Sequence, residues 1–183
     1  MTTAVKLLRA IALDPSDTFV FDAAAVSGEW AVSGAFRFWD QDPATLSGKA
    51  RAAFRSGFLG VQSWGWSTLV QIVPATQDDC RGLIELLARR LVDRFGAPDI
   101  ATARAAAEEE VAFAQSLCTY PIGSLIAVHR SASDGEVREA FRRLQLREGQ
   151  GHGKAFSFME VEGDVEPDSD LHLADLGQEP RHR

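Results

Sequence analysis

The 183-residue sequence has little of what usually marks a catalytic or metal-binding centre. It contains only two cysteines, and the CxxC, HExxH, GxSxG and EF-hand patterns are all absent. The segment GQGHGK, which holds His152 and Lys154, lacks the GxxxxGK[ST] spacing of a P-loop and is interpreted as a flexible connector. The common zinc, calcium and nucleophile signatures are therefore excluded, and we predict no cofactor and no metal site. The absence of these motifs favours a non-catalytic protein over an enzyme.

Long apolar runs are missing as well. No stretch approaches the roughly 20 apolar residues that a membrane-spanning helix needs, so we expect no membrane insertion. The N-terminal segment MTTAVKLLRAIALDPSD contains an apolar stretch that is too short for a signal peptide. We therefore expect a cytoplasmic protein. In that compartment Cys80 and Cys118, each on the apolar face of a predicted helix, are expected to be buried and reduced.

Basic residues are too few and too scattered for a nucleic-acid-binding protein. The net charge is −7, and residues 160–183 carry eight acids against two arginines, whereas the rest of the chain has 18 acids and 17 bases. Because phosphate binding needs clustered lysine and arginine, we predict no nucleic-acid partner. The sequence favours a single globular domain over residues 1–163, followed by an acidic and disordered tail over residues 164–183.

Apolar periodicity predicts six strands and four helices, with the strands grouped early in the chain. Early strands this close in sequence pair readily as antiparallel neighbours. We therefore expect an α+β fold with a mixed or mostly antiparallel sheet of about five to six strands and about four helices, mainly on one face. The predicted strands are residues 5–13, 18–21, 29–40, 61–73, 124–129 and 155–163, and the predicted helices begin at Asp42, Thr76, Asp99 and Ser133.

The stretch SWGWSTLVQIV raises the question of whether its two tryptophans bind a ligand or fill a core. In a strand over residues 61–73, Trp64 and Trp66 share one face with two aliphatic residues, which favours a core face over a stacking platform. Gly65 and Ser67 lie on the opposite face and leave room there for a packed helix or a small ligand.

The segment IAVHRSASDGEVREAF contains the strongest candidate site, where a predicted strand ends shortly before a predicted helix begins. Arg130, Ser131 and Ser133 are candidate ligand-binding residues, because a helix N-terminus attracts anions and arginine adds a bidentate contact. His129 is a candidate catalytic residue that could move protons near neutral pH. The alternative is that His129 forms local hydrogen bonds and that Arg130 pairs with an acid on the next helix.

Glu110 is the second candidate catalytic residue, because it lies beside apolar positions on the predicted third helix. A half-buried carboxylate there could act as a general base with a raised pKa. The alternative is that the run Glu108 to Glu110 is a solvated face with one residue at the core boundary. His172 and His182 lie among acids in the tail without the spacing of metal ligands.

Several blocks of the sequence, in order, resemble a family of small proteobacterial proteins known only as a domain of unknown function. The blocks are LDPSDTFVF, GEWAVSGAFRFWD, KARAAFRSGFLG, GWSTLVQIV, AEEEVAFAQSLC and IAVHRS, within residues 5–162. The resemblance implies no activity, ligand or catalytic residue. It does imply an association with accessory genes of bacterial redox metalloenzymes.

Two hypotheses for the function remain. The first is a non-catalytic cytoplasmic accessory or interaction protein that assists the assembly or operation of a larger enzyme, such as a redox metalloenzyme, through an unidentified protein partner. Homo-oligomerisation is also possible. The second is a small-molecule-binding protein or small enzyme that acts on an anionic ligand near His129 and Arg130. A concave pocket with charged residues would favour the second hypothesis, and an exposed apolar patch would favour the first.

Overall fold

Eight strands and four α-helices are present in the part of the chain that the computed structural model describes, residues 4–146 and 158–165. Two short 3-10 helices, Ala35–Phe38 and Pro43–Thr45, precede the second α-helix. The strands are β1 Val5–Ile11, β2 Trp30–Val32, β3 Phe58–Gly60, β4 Trp66–Ser67, β5 Leu69–Ala75, β6 Leu125–Ser133, β7 Glu136–Leu146 and β8 Phe158–Val165. The helices are α1 Asp17–Val20, α2 Gly48–Ser56, α3 Gln77–Phe95 and α4 Ile100–Ser116.

All neighbouring strands in the sheet are antiparallel, in the order β4-β3-β2-β1-β5-β6-β7-β8. The predicted α+β class is thus confirmed, with more strands than the five to six expected. Only Thr68 separates β4 from β5, although three strands lie between them in the sheet order. One residue spans only about 4 Å, so the sheet must curl back on itself at this point. The Asp17 carboxylate holds the junction by accepting the backbone N–H of Thr68 at 3.2 Å and its hydroxyl at 2.5 Å.

Both long helices begin where the sequence predicts, whereas α4 ends at Ser116, before Cys118, which the sequence placed inside a helix. The Thr76 hydroxyl accepts the N–H of Asp79, and the Asp79 carboxylate accepts the N–H of Thr76, which completes a capping box before α3. Gly96 ends α3 in the left-handed conformation, with φ 77°. The Asp99 side chain accepts the N–H of Thr102 and begins α4, which packs against β1 and β2.

Three predictions in the first third of the chain are wrong or only partly right. Residues 18–21 belong mostly to the one-turn helix α1 rather than to a strand. The predicted strand over residues 29–40 stops after Val32, because Gly34 turns the chain with φ 79° into a 3-10 helix. The predicted helix at Asp42 is first a 3-10 turn, which the Asp42 carboxylate caps, and α2 starts only at Gly48.

The predicted long strand over residues 61–73 is also wrong, because the chain reverses between β3 and β4. Trp64 occupies this reversal with a positive φ of 63°, so it does not share a strand face with Trp66. Both tryptophans are buried, as the core interpretation requires. The space next to Gly65 is filled by the protein's own backbone, since a Cβ there would lie 2.5 Å from the carbonyl carbon of Ala24. Ser67 is buried and donates to the Leu69 carbonyl at 2.7 Å.

The predicted helix that begins at Ser133 is instead the strand β7, which forms a hairpin with β6. Asp134 and Gly135 make the turn with φ values of 53° and 79°. Both residues therefore have positive φ, as in the two-residue turns that join antiparallel strands. The anion-binding helix N-terminus that motivated the candidate site is thus absent from this junction.

The predicted last strand corresponds to β8, which ends at Val165. Residues 147–157, with the predicted connector, and residues 166–183, with most of the predicted acidic tail, lie outside the described residues. The tail and the domain boundary therefore stay predictions. Among the described residues, none of the helices combines the length and the apolar character that crossing a membrane requires.

The close approach at Gly65 leads to a prediction. Gly65→Ala should lower the free energy of unfolding by about 3 kcal/mol, because the added methyl group must displace the backbone of Ala24. Gly82→Ala is the matched control, since Gly82 lies in α3 with open space around it, and this change should stabilise the protein by about 1 kcal/mol. Urea unfolding of both variants measures the difference. A Gly65→Ala variant as stable as the natural protein would contradict the packing of this turn.

Candidate functional site

The four candidate residues of the predicted anion site all lie on β6, where side chains alternate between two directions. The register pairs Arg130 with Glu139, His129 with Ala140, Ser131 with Arg138 and Ser133 with Glu136. Successive residues of a strand point to opposite faces, so the side chain of Arg130 points away from those of His129 and Ser131. The structure therefore separates Arg130 from the other three candidates.

Arg130 is completely buried, with no exposed surface, and its guanidinium lies at the C-terminal end of α2. Its Nη1 donates to the carbonyl oxygen of Gly57 at 2.6 Å, that of Phe54 at 3.1 Å and that of Ala53 at 3.4 Å. The last carbonyls of a helix have no partner within the helix, and the helix dipole makes them attractive to a cation. Arg130 is thus the cap of α2, supplied by a strand more than 70 residues away in sequence.

The remaining guanidinium N–H groups bind the β2 end and the hairpin partner. Nη2 donates to the carbonyl oxygen of Ser33 at 2.5 Å and to its hydroxyl at 3.2 Å, and Nε donates to the Glu139 carboxylate at 2.9 Å. The Ser33 hydroxyl in turn donates to the same carboxylate oxygen at 2.6 Å. All five N–H groups of Arg130 have partners within the protein, so its side chain has none left for a ligand.

Burial lowers the pKa of Arg130, and the negative charges of Glu139 and Glu110 oppose that shift. Glu110 extends the cluster from α4, and its carboxylate accepts the backbone N–H of Gly34 at 3.0 Å. Burial raises the pKa of Glu110, the Gly34 hydrogen bond lowers it, and the charge of Glu139 raises it again. The predicted raised pKa is thus present, and the group lies in a polar cluster that joins α4 to the β2 end.

The sequence interpretation did not identify Glu139, whose carboxylate accepts hydrogen bonds from both Arg130 and Ser33. The dipeptide Asp134–Gly135 between alternating residues is a strong hairpin signal. A two-residue turn at these positions places residue 130 opposite residue 139, as the structure does. The same signal would therefore have identified the acid that pairs with Arg130.

A cleft of about 390 Å³ lies between α2 and the end of β6. Arg51 and Arg55 line it from α2, and His129, Ser131 and Ser133 line it from β6. Arg130 also borders it, but with a guanidinium that is already fully bonded. The four candidate residues of β6 thus border one cleft together with two arginines of α2.

The electrostatic environment of His129 is positive. Burial is the main cause that lowers its pKa, and the nearby charges of Arg55 and Arg142 lower it further. His129 is therefore favoured in its neutral form while the cleft holds no anion. Glu110 does not line this cleft, so the two candidate catalytic residues do not form one site.

A layer of aromatic rings lies on another part of the protein. The ring of Phe36 packs at 5.9 Å from Trp64, 5.1 Å from Phe95 and 6.4 Å from Trp39, measured between centroids. Phe36 and Trp64 are buried, whereas Trp39 is 76% exposed and Phe95 is 39% exposed. We call Trp39 and Phe95, supported by Phe36, the aromatic patch.

Arg37 lies next to the aromatic patch and stacks on two tryptophans. Its guanidinium carbon is 5.4 Å from the ring centroid of Trp64 and 4.9 Å from that of Trp66, and its Nη1 donates to the Trp64 carbonyl at 3.1 Å. Burial lowers the pKa of Arg37, and the positive charge of Arg94 lowers it further. The tryptophan motif of the sequence thus forms a cation–π stack inside the protein.

No group of three or more histidine, cysteine, aspartate or glutamate side chains with metal-binding geometry exists among the described residues. Cys80 and Cys118 are buried and not disulfide-bonded. Burial raises the pKa of Cys118 to about 11, which keeps this thiol protonated and unreactive at neutral pH.

Among the comparisons with known proteins, only the one with family models gives a match. A family model described as a family of unknown function (DUF6505) matches residues 5–157. No curated protein and no solved structure matches the chain. The expected resemblance to a domain of unknown function is confirmed, and the proteobacterial origin stays a prediction.

The bonding of Arg130 predicts a large effect on stability. Arg130→Ala should lower the free energy of unfolding by about 3–5 kcal/mol, because it removes the cation from the half-buried Glu139 carboxylate and leaves several buried carbonyl oxygens without a donor. Arg81→Ala is the control, since Arg81 forms only an exposed ion pair with Asp78 and should change stability little. Urea unfolding measures both. If Arg130 served a ligand instead, Arg130→Ala would leave the stability almost unchanged.

The raised pKa of Glu110 predicts a pH effect. Because the folded protein holds the Glu110 proton more tightly than the unfolded chain, this group reduces stability as the pH rises above its ordinary pKa of 4.5. Glu110→Gln should therefore be increasingly more stable than the natural protein as the pH rises from 4.5, in urea unfolding at several pH values. Glu109→Gln, an exposed change on the same helix, should show no such trend. Parallel profiles for the two variants would contradict the assignment.

Proposed function

The chain belongs to the DUF6505 family of unknown function, and we propose that it is a non-catalytic interaction protein that binds a partner protein through the aromatic patch. The observation that carries the proposal is the exposure of Trp39 directly above a packed aromatic layer. Tryptophan, phenylalanine and arginine are enriched at the energetic centres of protein interfaces. A cytoplasmic location and an accessory role for a larger enzyme, such as a redox metalloenzyme, extend this proposal.

The patch is held in a rigid position, which favours binding. Phe36 contacts rings from the β3–β4 reversal and from the end of α3, so Trp39 and Phe95 stand on a support built from three parts of the chain. A surface that is already ordered loses less conformational entropy when a partner binds. This support distinguishes Trp39 from a surface residue in a loose loop.

The charges beside the patch indicate what partner it fits. Arg37 and Arg94 are close enough for the charge of Arg94 to lower the pKa of Arg37, and Arg94 is exposed on α3. A partner that carries an apolar side chain flanked by carboxylates would fill the patch and balance these arginines. We therefore propose an acidic protein surface with an apolar anchor as the partner.

The second hypothesis, an anionic ligand near His129 and Arg130, has one supporting observation, the cleft between α2 and β6. Arg130 is already bonded within the protein, so Arg51, Arg55 and His129 are the side chains that would meet such a ligand. The two candidate catalytic residues, His129 and Glu110, do not lie in the same site. The cleft therefore supports binding of an anion but not catalysis by this pair. Binding of an anion there is a proposal separate from the aromatic patch.

The aromatic patch predicts a selective loss of binding. Trp39→Ala should weaken binding of the partner by at least about tenfold, because it removes the central exposed ring of an interface. It should leave thermal stability almost unchanged, since Trp39 is 76% exposed. Proteins captured from a native lysate are compared between the natural chain and the variant, and the protein that the variant loses is purified for calorimetric titration.

Ile122→Ala is the matched control, because Ile122 is an exposed apolar side chain outside the patch. It should retain the partner with unchanged affinity. Two results would overturn the proposal: equal affinity of the purified partner for the natural chain and the Trp39 variant, or a change from dimer to monomer on Trp39→Ala. The second result would show that the patch joins two copies of this chain.

A further inference from the structure

We propose that the pocket between α2, the 3-10 helix Ala35–Phe38 and the β3–β4 reversal binds a small organic monocarboxylate. The pocket has a volume of about 200 Å³ and shares no lining residue with the cleft between α2 and β6. Its charged lining residues are Arg37, Lys49 and Asp22. The proposal is independent of the partner protein, because Trp39 does not line this pocket.

The guanidinium of Arg37 is fixed at the wall of the pocket. Its carbon lies 4.9 Å from the ring centroid of Trp66 and 5.4 Å from that of Trp64, and both tryptophans line the pocket as well. Its Nη1 donates to the Trp64 carbonyl at 3.1 Å. The charged end of Arg37 therefore borders the pocket in a position that is set before any ligand binds, which lowers the entropic cost of binding.

Arg37 has hydrogen-bonding capacity that the protein does not use. A guanidinium carries five N–H donors, and the Trp64 carbonyl is the only acceptor that this one has among the described residues. No carboxylate in that part of the chain forms an ion pair with Arg37. Because Arg37 is half-buried and a partly desolvated charge is costly without a partner, its guanidinium favours an anion from outside the protein.

The charges around the pocket fit an anion that carries one negative charge. Lys49 is exposed on α2 and adds a second cation, whereas Asp22 is exposed and adds one carboxylate. Neither residue forms an ion pair with another described residue. Two cations and one acid leave a net charge of +1, which a carboxylate balances and a dianion such as sulfate exceeds.

The rest of the lining and the volume favour an organic acid of a few carbon atoms. Phe38 lines the pocket together with three alanines, which are Ala23, Ala50 and Ala53, and none of these side chains carries a hydrogen-bonding group. A volume of about 200 Å³ equals that of about seven water molecules, which is close to an acid with about six non-hydrogen atoms. Pockets for drug-sized ligands are larger, at about 300–1,000 Å³, so larger acids fit poorly.

The test titrates the full, isotope-enriched chain with sodium butyrate at neutral pH and follows its NMR signals. The indole N–H signals of Trp64 and Trp66 and the Nε–H signal of Arg37 should shift along a curve that saturates within tens of millimolar. The indole signal of Trp30, outside the pocket, should not shift. Acetate should bind roughly tenfold more weakly, because it lacks two apolar CH₂ groups. Sodium chloride and sodium sulfate at matched ionic strength should give no saturable shift.

Three variants test the assigned charges. Arg37→Gln should abolish saturable binding, and Lys49→Gln should weaken it several-fold without affecting the fold, because Lys49 is exposed. Asp22→Asn should tighten butyrate binding and allow sulfate to bind, because it removes the acid that opposes a second negative charge. Arg81→Gln is the control, since Arg81 is exposed on α3 and does not line the pocket, and it should leave the titration unchanged.

The proposal is overturned if butyrate gives no saturable shift, if chloride reproduces the shifts, or if sulfate binds the natural protein more tightly than butyrate does. Unchanged affinity in Lys49→Gln, or shifts at His129 and Arg55 in place of the tryptophans, would also overturn it. The blocked tripeptide acetyl-Gly-Glu-Gly-amide carries a carboxylate on a peptide backbone and should bind more weakly than butyrate. Tighter binding of the tripeptide would assign the pocket to a side chain of a partner protein and overturn the assignment to a free acid.

Discussion

The guanidinium of Arg130 joins parts of the chain that the sheet alone would not bring together. It binds the C-terminal carbonyls of α2, the backbone at Ser33 and the Glu139 carboxylate, and it has no contact with solvent. A buried charge is tolerated only when most of its hydrogen bonds are made together, because each missing partner leaves a desolvated polar group. The position of α2 against β6 therefore depends on the β2 end and on the hairpin at the same time.

This constraint also determines what remains at the surface. Because the C-terminal end of α2 is tied to β6, the exposed side chains of Arg51 and Arg55 border the same cleft as His129. One arginine is structural and inaccessible, and two others are accessible and not required for its hydrogen bonds. Only the packing distinguishes Arg130, which is buried and bonded within the protein, from Arg51 and Arg55, which line the cleft.

The parts of the fold that were predictable are those whose signals are local. The Thr76 capping box and Gly96 determine the two ends of α3, and Asp99 determines the start of α4. The segment after Ser133 carries two local signals that conflict, a Ser–Glu spacing typical of a helix start and an Asp–Gly turn. The strand outcome is decided by pairing with β6. Apolar spacing within the segment itself does not reveal this pairing.

The reversal at Trp64 could not be predicted from its own residues. A positive φ is unfavourable for a tryptophan by about 1–2 kcal/mol, and it persists here because the backbone at Ala24 packs against Gly65 and two hydrogen bonds join Trp66 to Ala23 and Ala25. The segment that imposes this conformation lies some 40 residues earlier in the chain.

The same reversal supports the surface to which we assign function. The rings of Trp64 and of the exposed Trp39 both pack on Phe36. Burying a tryptophan side chain contributes about 2–3 kcal/mol, which this fold gains from Trp64 and Trp66 but not from Trp39. The ring of Trp39 stays in solvent, so folding does not gain the free energy of burying it. A partner that covers this ring would gain that free energy on binding.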